Sequence, residues 1–158
     1  MLRAIAGVIV GYITMFVFIF VTFTIAYLLM GADRAFREGA YEVSWFWIAI
    51  SMVLGTTAAL AGGAVCRLIA GSMTPVYALA GLVLVLGIIF AIPVLTAEPA
   101  GPRTGDVPNM QAMAEARQPA VAALANPIIG ALGAAAGGML VGRRRSTVAQ
   151  AHGATIRS

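Results

Sequence analysis

Within the long apolar stretches of this 158-residue chain, the side chains best placed to meet a passing solute are Ser51, Thr56, Thr57 and Asn126. Ser51 precedes the two threonines by one to two helical turns, so the three hydroxyls can line a polar pathway, with Asn126 adding an amide from another segment. The competing reading is local. Hydroxyls in membrane helices commonly bond back to a carbonyl one turn earlier, which leaves nothing for a solute. The remaining polar groups in these stretches, Tyr12, Thr14, Thr22 and Thr24, include no carboxylate, histidine or lysine. Proton-coupled transport generally keeps such a group at membrane depth, where its charge is costly. The single histidine, His152, lies near the C-terminus, and the single cysteine, Cys66, beside Arg67, has no partner for an intrachain disulfide. In its alanine- and glycine-rich setting Cys66 reads as a small packing residue. No paired catalytic groups, metal-ligand cluster, phosphate loop or cofactor motif stands out, so the chain reads as non-enzymatic, with no cofactor or metal.

The elements that must position these groups follow from composition. The chain is 61% hydrophobic and 10% charged, with a mean hydropathy of +0.94, whereas about 25% of a soluble domain is charged. Apolar runs occupy residues 4–30, 44–69, 75–94 and 120–141. The expected fold is all-α, a polytopic membrane protein whose residues 1–145 form a four-transmembrane-helix bundle. The first run reaches roughly 40 Å as a helix against a hydrocarbon core of roughly 30 Å, so it must tilt or project. It is also far longer than a signal-peptide core and is expected to stay in place. Trp45, Phe46 and Trp47 open the second run and, with Tyr41, suit the headgroup level. Thr74 and Pro75 read as a cap and first position for the third, and Pro93 bends or ends it. In the fourth, Asn126-Pro127 leaves two readings of residues 120–125: part of the span, or a separate turn with the span proper beginning near Pro127.

Charge then sorts the ends. All six acids fall between residues 33 and 42 or between 98 and 115, and Arg34, Arg37, Arg103 and Arg117 lie in or beside these stretches. The other side collects Arg3, Arg67, Arg143, Arg144, Arg145 and Arg157 and no acid. Because cytoplasmic loops accumulate basic residues, both termini are expected in the cytoplasm. Arg67 and Arg143 to Arg145 would fix that topology and attract anionic lipid at roughly 1 kcal/mol each. The ten arginines lie at the ends of apolar runs with no basic aromatic face between them, which excludes a nucleic-acid partner. Ten arginines without a lysine point to a GC-rich bacterial genome and hence to the bacterial cytoplasmic (inner) membrane. The outer loop 96–119 carries a short helix over residues 108–117, with Met110, Met113 and Ala114 on one face, and residues 146–158 read as a disordered cytoplasmic tail.

Small residues four apart form the strongest local pattern: Gly7 and Gly11, then Gly55, Ala59 and Gly63, then Gly130, Ala134 and Gly138. Such stripes let helix backbones approach closely where lipid removes the hydrophobic drive to associate. They serve packing inside the bundle or association with another copy or another membrane protein. Two internal matches reinforce the pattern. Ala4 to Val8 recurs at Ala78 to Leu82, offset 74, and Gly55, Ala59, Ala61, Gly62 and Gly63 recur at Gly130, Ala134, Ala136, Gly137 and Gly138, offset 75. Each half would then be one helical hairpin, the two related by an axis along the membrane normal.

The chain therefore reads as a small integral membrane protein acting through helix packing as a structural, accessory or assembly subunit, with the lipid bilayer and other membrane proteins or itself as partners. The alternative is a small transporter or channel with a pathway between the second and fourth helices. Small multidrug-resistance transporters share its size and span count but depend on a glutamate in the first helix, and the first run here holds no acid.

Overall fold

The computed structural model describes residues 1–96, 102, 103 and 106–155, with side chains as far as residue 143. Among the described residues six helices occur in order: α1 (Leu2–Met30), α2 (Ala32–Ala35), α3 (Trp45–Ala70), α4 (Thr74–Thr96), α5 (Asn109–Glu115) and α6 (Ala120–Thr155). Four of them, α1, α3, α4 and the Ala120–Arg143 part of α6, are long and apolar enough to cross a bilayer. Their outward faces expose Ile9, Ile13, Val53, Val85, Ile89 and Leu132, a surface that hydrocarbon solvates and water does not. The chain is thus an all-α bundle of four candidate membrane spans.

Helix boundaries follow local chemistry. The Ser44 hydroxyl oxygen accepts the Trp47 N–H at 3.1 Å and its O–H donates to the Arg34 carbonyl at 2.6 Å, so one side chain starts α3 and ties down the preceding loop. At the far end Gly71 turns left-handed with φ 77° and donates its N–H to the Arg67 carbonyl at 2.9 Å. Tyr77 N–H reaches the Met73 carbonyl at 3.0 Å, so α4 begins one residue before the expected start. Thr74 lies inside the first turn, and Pro75 sits where its missing N–H has no partner to lose.

Two expectations about the fourth span resolve against interruption. Residues 120–125 and Pro127 belong to one continuous helix. The Pro127 ring packs into the space left by Gly87 of α4, where a Cβ would come within 2.7 Å of it, so α4 makes room for the ring at the point where α6 lacks a backbone donor. The helix then runs on to Thr155, whereas the sequence reading makes residues 146–158 a disordered tail. Ala149, Gln150 and Ala151 favour helix, and elongating a long existing helix avoids the cost of nucleation. Residues 156–158, including Arg157, and Glu98 lie outside the described residues, as do the side chains of Arg144 and Arg145.

The four long helices form a ring in the order α1, α3, α6, α4, with α1 and α4 closing it through a thinner contact. One end of the ring, where α1 and α4 begin, is called the basal end below. The other is covered by a cap built from the segment between α1 and α3 and the described residues between α4 and α6.

Candidate functional site

Small residues set the approach of the helices. A Cβ at Gly11 would lie 2.8 Å from the Gly62 carbonyl oxygen, and one at Gly7 would lie 3.0 Å from the Cys66 carbonyl, so α1 rests directly on the α3 backbone. Cys66 itself is fully buried there, as a packing residue would be. Between α3 and α6 the contact is closer still. A Cβ at Gly63 would collide with the Ala134 carbonyl, and one at Gly137 with the Leu60 carbonyl. Ala59 faces Gly133, where an added Cβ would lie 2.8 Å from its own.

The stripe read from the sequence is therefore divided among several faces. Gly7, Gly11, Ala59, Gly63 and Ala134 pack inside the bundle. Gly130 and Gly138 face Val83 and Val76 of α4 rather than α3, although Gly130 stands two turns from Gly137 on nearly the same face of α6, so one broad small-residue surface of α6 serves both neighbours. Gly55 meets nothing within 4 Å and packs against no helix. The glycines that meet α3, Gly133 and Gly137, were legible as their own pair four apart. So was Gly62, which faces Gly11 and Met15. Ala59 and Gly133, like Gly63 and Gly137, are 74 residues apart and hold matching places on the two parallel helices. That spacing is one residue short of the offset of 75 that pairs Gly63 with Gly138, so the packing does not use the register read for these two helices. The flanking pairs keep different registers: Gly11 meets Gly62, whereas Gly87 meets Pro127.

Toward the cap the four helices diverge around a cavity of roughly 360 Å³. Tyr12, Met15, Val83 and Leu86 line it toward the basal side, and Trp47, Ala123, Asn126 and Gln118 toward the cap. Ser51, Thr56 and Asn126 all reach this cavity, so three of the four residues read as a pathway do converge. Thr57 does not: it is exposed on the outer surface of α3. The hydroxyls are already committed, Ser51 donating to the Ile48 carbonyl at 2.9 Å, Thr56 to Met52 at 2.7 Å and Thr57 to Val53 at 2.8 Å. Asn126 donates to the Gln118 side-chain oxygen at 3.1 Å. The local reading therefore describes the hydroxyl hydrogens of all three residues, each bonded to a carbonyl of its own helix.

The cap above it is a small folded unit. Phe36 pairs with Val43 across a turn, and Glu42 pairs with Arg117 from the later segment, whose N–H donates to the Tyr41 carbonyl at 2.9 Å. Phe23, Trp47, Tyr27, Phe36 and Tyr41 follow one another in edge contacts with centroids 5.8 to 6.3 Å apart. Trp47 and Tyr41 thus turn inward, while Trp45 and Phe46 remain exposed as headgroup residues would. The Tyr27 hydroxyl donates to the Val107 carbonyl at 2.7 Å. Arg103 donates to Asp33 at 2.8 Å and lies over the Phe36 ring, 6.0 Å from its centroid. The α5 helix lies on this unit through buried Ala112, and the face carrying Met110, Met113 and Ala114 points outward.

At the basal end Arg67 lies half-buried along α6 at Gly142, whose absent Cβ would be 3.6 Å from its guanidinium, and Arg143 is exposed. Among the described residues no group of three His, Cys, Asp or Glu side chains could hold a metal ion. Comparison with protein-family models, with curated proteins and with solved structures finds no match.

Proposed function

We propose that this chain is a non-enzymatic structural, accessory or assembly subunit of a bacterial cytoplasmic membrane, acting through helix packing, with both termini in the cytoplasm. The observation that carries this reading is the seam between α3 and α6. Gly63 against the Ala134 carbonyl and Gly137 against the Leu60 carbonyl bring backbone onto backbone, which leaves no lumen between these helices in the basal half. The orientation is supported by the basal arginines, Arg3, Arg67 and Arg143 to Arg145, opposite a cap segment that holds every acid. Its partners would be lipid and another membrane protein or a second copy, met through the exposed apolar helix faces and the cap methionines Met110 and Met113. The test is purification of a tagged chain at native expression in mild detergent, with identification of what accompanies it. Recovery as a bare monomer would remove the accessory role.

The transporter or channel reading keeps one specific support, the meeting of Ser51, Thr56 and Asn126 at a single cavity. In a Cys66→Ser background, Ser51→Cys and Thr56→Cys would react with a membrane-impermeant thiol reagent if water reached the cavity. Absence of labelling from either side would end that reading.

A further inference from the structure

We propose that the half-open cavity between the four helices binds an uncharged amphiphile drawn from the bilayer, a molecule with one apolar chain and a non-ionic hydrogen-bonding head, as in a monoacylglycerol. The first argument is access. Phe16 of α1 and Phe90 of α4 both line the cavity and are 63% and 67% exposed, so its wall reaches the outer surface of the bundle. They belong to α1 and α4, the adjacent pair in the ring with the thinnest contact, and exposed side chains on these spans face hydrocarbon in a membrane-spanning bundle.

The second argument is volume and lining. Folded interiors hold few voids larger than a water molecule, and an apolar cavity of about 150 Å³ already stays dry and takes up apolar ligands. At roughly 360 Å³ this cavity falls within the size range of ligand sites, about 300 to 1,000 Å³. Its basal part, walled by Met15, Val83 and Leu86, has the character a hydrocarbon chain requires.

The third argument is the polar end. Asn126 and Gln118 lie toward the cap, and the bond between them occupies one donor and one acceptor, so the pair retains an amide N–H and a carbonyl oxygen for a ligand. A second cavity of roughly 140 Å³ adjoins at Phe23, Trp47 and Gln118 and adds Asn109 to the polar surface. Among the described residues no Asp, Glu, Lys, Arg or His lines either cavity. An ionised head would therefore meet no opposite charge at this end, where Gln118 and Asn126 are themselves exposed, whereas a neutral hydrogen-bonding head matches the two amides.

This inference is independent of the accessory role, since a lone monomer would still contain the cavity. The chain has two tryptophans, so Trp45→Phe leaves Trp47, which lines both cavities, as the single reporter. The protein is reconstituted in phosphatidylcholine vesicles with a monoacylglycerol brominated on its chain, a contact quencher of tryptophan. Quenching is expected to saturate at a few mole per cent and to be reversed by unlabelled monoacylglycerol. Gly55→Leu, which fills the cavity from a position whose Cβ meets nothing within 4 Å, should reduce the saturable part at least fivefold, with folding checked by thermal unfolding. If that variant fails to fold, the competition measurement in the parent protein decides. Quenching that rises linearly and resists competition would mean bulk lipid contact and overturn the site. Equal saturable quenching by a brominated, ionised fatty acid would overturn the neutral head, and undiminished quenching in folded Gly55→Leu would overturn the location.

Discussion

Gly55 and Gly63 stand two turns apart on α3 and serve different ends. At Gly63 the missing Cβ is what lets the α6 backbone close on α3, so Gly63→Leu is expected to cost at least about 3 kcal/mol or to prevent folding, read as a lower unfolding temperature in detergent. An unchanged midpoint would show that the seam does not hold the bundle. At Gly55 nothing stands within 4 Å, so Gly55→Ala should be neutral or raise stability by about 0.5 to 1 kcal/mol through helix propensity alone. A marked loss there would contradict the open space assigned to it. Both residues belong to one stripe in the sequence. Spacing alone identifies a smooth helical face, and only the neighbour across it decides whether a glycine is a contact or a gap. The same limit applies to Thr56 and Thr57, adjacent in sequence and pointing to different surroundings because successive helical residues are turned by about 100°.

At the scale of elements, the cap depends on contacts between segments some 70 to 85 residues apart, among them Arg103 with Asp33 and Asn109 with Thr24. The Arg103 side chain is 5% exposed and the Asp33 side chain 88%, so the two partners are unequal. Truncating the arginine uncovers Phe36 as well as breaking the pair, whereas the exposed carboxylate is screened by water. Arg103→Ala should therefore open the 31–44 segment to trypsin at Arg34 and Arg37 several-fold faster, and Asp33→Asn should change the rate little. Equal effects of the two would make the ion pair itself the latch. Tyr27→Phe removes the donor to the Val107 carbonyl and should cost about 1 kcal/mol, visible as faster hydrogen exchange across the cap. The short helix in the second loop was legible from its helix-forming residues. Its buried side was not: Met110 and Met113 remain exposed, and small Ala112 makes the contact with the cap.

At the scale of the whole molecule, the charge partition makes a direct prediction about sidedness. In a Cys66→Ser background, a cysteine placed at Glu38 in the cap should react with an impermeant maleimide in intact cells, and one at Ser72 in the basal turn only after permeabilisation. The opposite pattern would invert the topology. Both positions are exposed in the structure, so failure to react reports the side of the membrane rather than burial.

Four apolar runs, their order and their approximate ends follow from the sequence, because a bilayer demands continuous hydrophobicity and satisfied backbone groups within each segment, and both are local properties. The partition of acids and arginines is equally local, since it depends only on which loop holds them. Which helices touch is not local. The ring of α1, α3, α6 and α4, the division of the glycines among three interfaces, and the cavity where the helices part toward the cap come from packing between distant segments, each contact fixed by the shape of its partner. The sequence alone thus determined a four-span membrane protein with an acid-bearing side. The tertiary structure decided that Ser51, Thr56 and Asn126 share one space and that Thr57 lies outside it.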